Sequence, residues 1–208
     1  MKDKRIIRKI AFVILGTIVL GLSIGMVVKV GIGSDSLSAT YEGINKRTGV
    51  SLGTITALSN AFMFIFSFVF NRKIVGIGTI IFILCSKIPV DIGNAIMITT
   101  ESLPINIVLY TLSNVVMALG SALFILSDLG ASGYDAFTLT IDHLIKHKIP
   151  YVYLRYITDG TLLIVAFLLG GTIGIGTIIT WALIAILLKM WLRILEPVVK
   201  KIDEKLCK

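Results

Sequence analysis

Residues 76–82 read GIGTIIF and residues 174–180 read GIGTIIT, so six letters recur about one hundred positions apart inside strongly apolar stretches. If the recurrence is a repeat, other features must align under a shift of about the same size. They do. Leu20, Gly21 and Gly31 fall on Leu119, Gly120 and Gly130. Gly33, Asp35, Thr40, Glu42 and Lys46 then fall on Gly133, Asp135, Thr140, Asp142 and Lys146, and Gly76, Gly78 and Thr79 on Gly174, Gly176 and Thr177. Two short length changes in loops complete the alignment.

The chain that carries this repeat has 208 residues, 56% of them hydrophobic and 15% charged, with a mean hydropathy of +0.95. Soluble domains hold roughly 45–50% apolar and about 25% charged residues. A helix needs about 20 mostly apolar residues to cross the hydrocarbon of a bilayer. Six such spans can be placed, at about 8–29, 51–70, 74–97, 104–127, 151–170 and 174–193. The expected fold is therefore all-α and polytopic, a single membrane domain whose partner is the lipid bilayer. The first apolar run is too long for a signal peptide and lacks a small-x-small cleavage site.

The net charge of +8 does not point to nucleic acid, because the basic residues cluster at both ends and in short loops. Lys2, Lys4, Arg5, Arg8 and Lys9, then Arg72 and Lys73, Lys146 and Lys148, and finally Lys189, Arg193, Lys200, Lys201, Lys205 and Lys208 fall on one side of the expected spans. Basic loops are retained in the cytoplasm. Both termini are expected there, in the plasma membrane, with residues 194–208 as an amphipathic tail interrupted near Pro197. Cys85 and Cys207 have no metal-ligand or disulfide pattern.

Repeat one covers about 8–97 and repeat two about 104–193. Three spans per repeat is odd, so the second copy must enter the membrane from the opposite side, giving inverted halves. Secondary transporters are often built so, with the site at the repeat interface.

Each half also contains a stretch too polar to span, entered through glycines: GIGSDS at 31–36 and GASGYD at 130–135. As helices these stretches place Asp35, Glu42 and Lys46 at offsets 0, 7 and 11, within about 20° of the first. Asp135, Asp142 and Lys146 repeat the line. Such a helix re-enters the membrane or lies on its surface with the charges in water. In the first case its N-terminus offers N–H groups to an anion, or Asp35 and Asp135 take a cation or proton. In either case both aspartates suit an N-cap. Gly33 and Gly133, Glu42 and Asp142 complete this candidate binding set.

Other polar residues in the spans form a shorter set. Arg155 and Asp159 stand four apart and are expected to pair; Asp159 aligns with Ser59 or Asn60, which makes Asn60 and Asp159 candidates to face a cavity. Lys87 and Asp91 are expected to pair in the same way. Tyr151, Tyr153 and Tyr156 suit an interfacial belt. His143 and His147 have i, i+4 spacing without a third ligand, so no metal is expected, and no cofactor either. Gly21 and Gly25 have the small-xxx-small spacing of closely packed membrane helices. No catalytic constellation is legible, and an enzyme is not expected.

GIGSDSL and GASGYDAF, with Gly-Ile-Gly-Thr-Ile-Ile at the start of a later span, resemble the YczE/YyaS/YitT family of bacterial integral membrane proteins, over about residues 8–193. The likeness is greatest to the short YczE-type branch without the soluble C-terminal domain of the YitT-type branch. The resemblance implies a polytopic plasma-membrane protein regarded as a candidate transporter of no established substrate. The leading expectation is thus a transporter or exporter of an unknown small-molecule substrate, with a cavity between inverted repeats. The rival expectations are a membrane scaffold or regulator, as a homo-oligomer or with a protein partner, and the substrate-binding subunit of a multi-component importer.

Overall fold

A computed structural model describes residues 2–130 and 132–207, apart from the side chains of residues 2–5, 151, 152, 185 and 203–207. The expected roles of Lys2, Lys4, Arg5, Tyr151, Lys205, Cys207 and Lys208 lie outside the described residues. The chain is helical, in the order α1 (Lys2–Val30), α2 (Ser36–Thr48), α3 (Leu52–Phe70), α4 (Ile77–Cys85), α5 (Lys87–Ile96), α6 (Leu103–Leu126), α7 (Gly133–Leu144), α8 (Tyr151–Leu169) and α9 (Ile175–Cys207).

Ile6–Val30, Leu52–Phe70, Leu103–Leu126 and Ile175–Ile202 are long and apolar enough to cross a membrane, and α4 with α5 adds a fifth if the bent pair is one span. The expected fifth span forms a helix, α8, but is not among those that reach this length and apolarity among the described residues. Large apolar side chains point outward along these helices, among them Leu58, Phe62, Leu84 and Phe167. Lipid is the solvent such a surface requires.

The expected third span is broken. α4 and α5 meet at Ser86 with a 46° bend. Pro89, in the first turn of α5, has no N–H to give back toward Cys85, and its ring crowds that carbonyl. The expected interruption at Pro197 is absent, since α9 continues through it as one helix of 33 residues. There the proline costs one backbone hydrogen bond without ending the helix. Residues 194–207 therefore continue α9.

The centre is α1, which packs most extensively on α6 and α5. Small residues allow the approach. A Cβ at Gly25 would stand 2.1 Å from the Val90 carbonyl oxygen, one at Gly93 2.0 Å from that of Leu22, and one at Gly120 2.5 Å from the Leu20 nitrogen. The small-xxx-small reading of Gly21 and Gly25 thus holds: both face α5, at Pro89 and Val90.

The two GIGTII copies make matching contacts. The Gly176 N–H donates to the Ile32 carbonyl at 2.8 Å, and the Gly78 N–H to that of Leu129 at 2.9 Å. A Cβ on Gly33 would meet the Gly174 nitrogen at 2.7 Å, and one on Gly130 the Gly76 nitrogen at 2.7 Å. Gly33 and Gly130 have φ of 112° and 121°, a region that side chains other than glycine's seldom enter. Gly33 therefore shares its conformation and partner with Gly130, not with Gly133, which is the first residue of α7. Each turn launches a short helix that packs on the distant half: α2 lies on α8, and α7 on α3.

Overpacking a tight backbone crossing costs about 1–3 kcal/mol. Gly93→Ala should therefore lower the melting temperature in detergent by on the order of 5 °C. Gly160→Ala, which meets nothing within 4 Å, should leave it unchanged or raise it slightly, as expected for Ala over Gly in a helix.

Candidate functional site

The N-termini of α2 and α7 converge on one residue of α8. Asp159 Oδ1 accepts from the Ser36 hydroxyl at 2.7 Å and from the Tyr134 hydroxyl at 2.6 Å. Ser36 opens α2, and Tyr134 is the second residue of α7. Arg155, one turn earlier on α8, stands 3.5 Å from Asp159 Oδ2, so the pairing expected from the sequence forms. Its shorter bond is elsewhere, at 2.6 Å to Asp135 Oδ1. The guanidinium also lies over the Tyr134 ring, 4.2 Å from its centroid.

The two aspartates that the sequence aligned do different work. Asp35 is the N-cap of α2 and accepts from the Ser38 N–H at 3.1 Å through Oδ2. In α7 the cap is Ser132, which accepts from the Asp135 N–H at 3.3 Å and donates to Asp135 Oδ2 at 2.7 Å. Ser132 thus caps α7 and holds Asp135 Oδ2 through its hydroxyl, which leaves Asp135 Oδ1 aimed at Arg155. Asp35 has no such cation. Its Oδ1 is buried without a hydrogen-bond partner.

Two cavities flank Arg155. One, of about 370 Å³, is walled by Asp35, Ser36, Tyr134, Asp159, Tyr156 and Trp181; the other, of about 540 Å³, by Asp128, Gly130, Ser132, Asp135 and Leu188. Arg155 and Ile184 line both. Tyr156, expected in an interfacial belt, packs on Trp181 with ring centroids 5.4 Å apart.

The remaining candidates hold the frame instead. Glu42 is buried and accepts from the Thr172 hydroxyl at 2.6 Å and its N–H at 3.0 Å, while Lys46 pairs with it at 2.7 Å. Glu42 and Lys46 of the charged line therefore contact the α8–α9 connection, with Lys46 exposed at its end. Asp142 pairs with His147 Nδ1 at 2.7 Å. Lys146 does not continue that line, because it lies beyond α7 with a φ of 56°. Asn60 is buried, donates to the Thr56 carbonyl at 2.8 Å and to the Tyr41 hydroxyl at 3.4 Å, and sits against Gly133. It lines neither cavity beside Arg155. Asp91 does not take Lys87: it accepts from the Gly53 N–H at 2.7 Å and the Ser51 hydroxyl at 3.0 Å, tying α5 to the start of α3.

Ser36, Ser132 and Tyr134 were not singled out as site residues by the sequence. Ser132 could have been found from its spacing to Asp135. A second buried chain, Tyr110 to Thr180 at 2.6 Å and Thr180 to Asn114 at 2.9 Å, joins α6 to α9 below the site.

A family model described as a family of unknown function, DUF6198, matches residues 7–193. The chain belongs to this family. It is 25% identical to the uncharacterized protein YyaS of Bacillus subtilis over 185 residues, 88% of this chain and 91% of that protein. It is 23% identical to the uncharacterized membrane protein YczE of the same organism over 190 residues, 91% and 87% of the two chains. An uncharacterized protein of Haemophilus influenzae is 24% identical over 189 residues, 90% of this chain and 85% of its own. No solved structure matches the chain. The YczE/YyaS resemblance is thereby shown, and with the long apolar helices it identifies a membrane protein.

Removing the Asp159 carboxylate strands two hydroxyl donors. Asp159→Ala should cost about 1–3 kcal/mol, seen as earlier thermal unfolding in detergent. Asp159→Asn keeps an acceptor oxygen for Ser36 and Tyr134 and should cost less than Asp159→Ala.

Proposed function

We propose that this member of the DUF6198 family is a transporter of a small solute in the plasma membrane, built as six spans in two inverted halves. α4 with α5 forms the bent third span and α8 the fifth. α2 and α7 enter the membrane from opposite faces and meet at its middle. The matching contacts of the two glycine turns support the inverted halves, as does the exchange that sets α2 on α8 and α7 on α3. Clustered Lys and Arg support cytoplasmic termini.

The observation that carries the reading is the pair of cavities sharing Arg155. An ionisable residue at membrane depth is expensive and marks a solute or ion path by default. Asp135 belongs to one cavity and Asp159 to the other, and Arg155 bonds both. A solute that displaces either carboxylate's hold on Arg155 exchanges one opening for the other, which is alternating access at a fixed site. We propose binding and movement, not chemistry.

Orientation is tested by cysteine labelling in a background lacking Cys85 and Cys207. Thr48→Cys should react from outside and His143→Cys from inside; reaction of both from one side overturns the inverted halves. Flux is tested in proteoliposomes against a metabolite panel. Arg155→Gln, Asp35→Asn and Asp135→Asn should each lower the wild-type rate at least tenfold, and wild-type rates in all three overturn the site.

A further inference from the structure

We propose that the smaller cavity binds a small organic cation, an amine or quaternary ammonium, between the carboxylates of Asp35 and Asp159 and the rings of Tyr156 and Trp181. This rests on the transport reading and names the class of its solute.

Charge carries the choice first. Arg155 pairs with Asp135 and Asp159, and Asp35, on the wall of the same smaller cavity as Arg155 and Asp159, has no cation of its own. The positive end of α2 supplies Asp35 with a partial charge and one N–H, yet its Oδ1 is left buried without a donor. An anion entering this cavity would meet two carboxylates beside an Arg155 guanidinium that Asp135 and Asp159 already hold. A cation supplies the charge that is missing.

The walls then distinguish among cations. Tyr156 and Trp181 form a tilted pair on one side, and an aromatic face attracts a cation within about 6 Å. The Tyr134 face is already taken by Arg155. A hard metal ion asks for six or more oxygens, and no three of His, Cys, Asp or Glu stand close enough to hold one among the described residues. A volume of about 370 Å³ falls in the range of small-molecule sites and leaves a bare ion mostly uncontacted.

The test is equilibrium binding of radiolabelled tetraethylammonium to the full chain in lipid nanodiscs. Binding should be saturable, displaced by propylammonium, and indifferent to sodium chloride or sodium acetate at equal ionic strength. Asp35→Asn, which keeps the cap, should weaken it at least tenfold, and Trp181→Leu about threefold to thirtyfold. Absence of saturable binding overturns the proposal, as does equal displacement by sodium or by the uncharged tert-butanol. So do two variants that bind as the wild type does. If vesicles carry some other solute while tetraethylammonium does not bind, the cation assignment fails and the transport reading stands. If tetraethylammonium binds and no solute moves, the cation site stands and transport falls.

Discussion

The carboxylate of Asp159 is the joint on which the middle of the molecule depends. It receives a hydroxyl from the first residue of α2, a hydroxyl from the second residue of α7, and the guanidinium of its own helix. Helix N-termini carry partial positive charge and orphan N–H groups. Two of them brought together inside a protein would repel and would leave donors unmet. An anion between them turns the same proximity into attraction. Its own cost of burial is met by three partners, which is the condition under which buried charge is tolerated at all.

That joint can form only because backbones elsewhere come unusually close. α1 approaches α5 and α6 at Gly25, Gly93 and Gly120, where added Cβ atoms would run into opposing main chain, and at Gly21, where one would run into the Pro89 ring. The turns before α2 and α7 are seated on the starts of α9 and α4 through glycine against glycine. Between apolar helices in lipid, burial of apolar surface supplies little drive, and close van der Waals contact must supply it instead. Removing side chains at the crossings is how this chain obtains it, and it fixes where the polar helices point.

Much of this was written in the one-dimensional pattern. Long apolar runs gave the helices, the repeated GIGTII marked equivalent helix starts, and the four-residue spacing of Arg155 and Asp159 gave their pair. Positions that depend on register across loops were less legible. The alignment of Asp35 with Asp135 followed letters, whereas the turn geometry equates Gly33 with Gly130 and makes Ser132 the second cap. Lys87 and Asp91 matched a helix spacing, but a free backbone N–H at Gly53 is a better partner for a carboxylate that also caps α3. Pro89 and Pro197 look alike on the page. Only the neighbours decide that one sits at a bend and the other within a continuous helix.

That difference between the two prolines has a mechanical meaning. The last segment of the first half is a jointed arm, α4 and α5 with a 46° elbow at Ser86, while its counterpart α9 is one continuous helix of 33 residues. A break in the hydrogen-bond ladder is where a helix yields most easily. On the transport reading, the elbow at Ser86 is therefore the point at which this segment would flex as a solute passes, and α9 has no matching break.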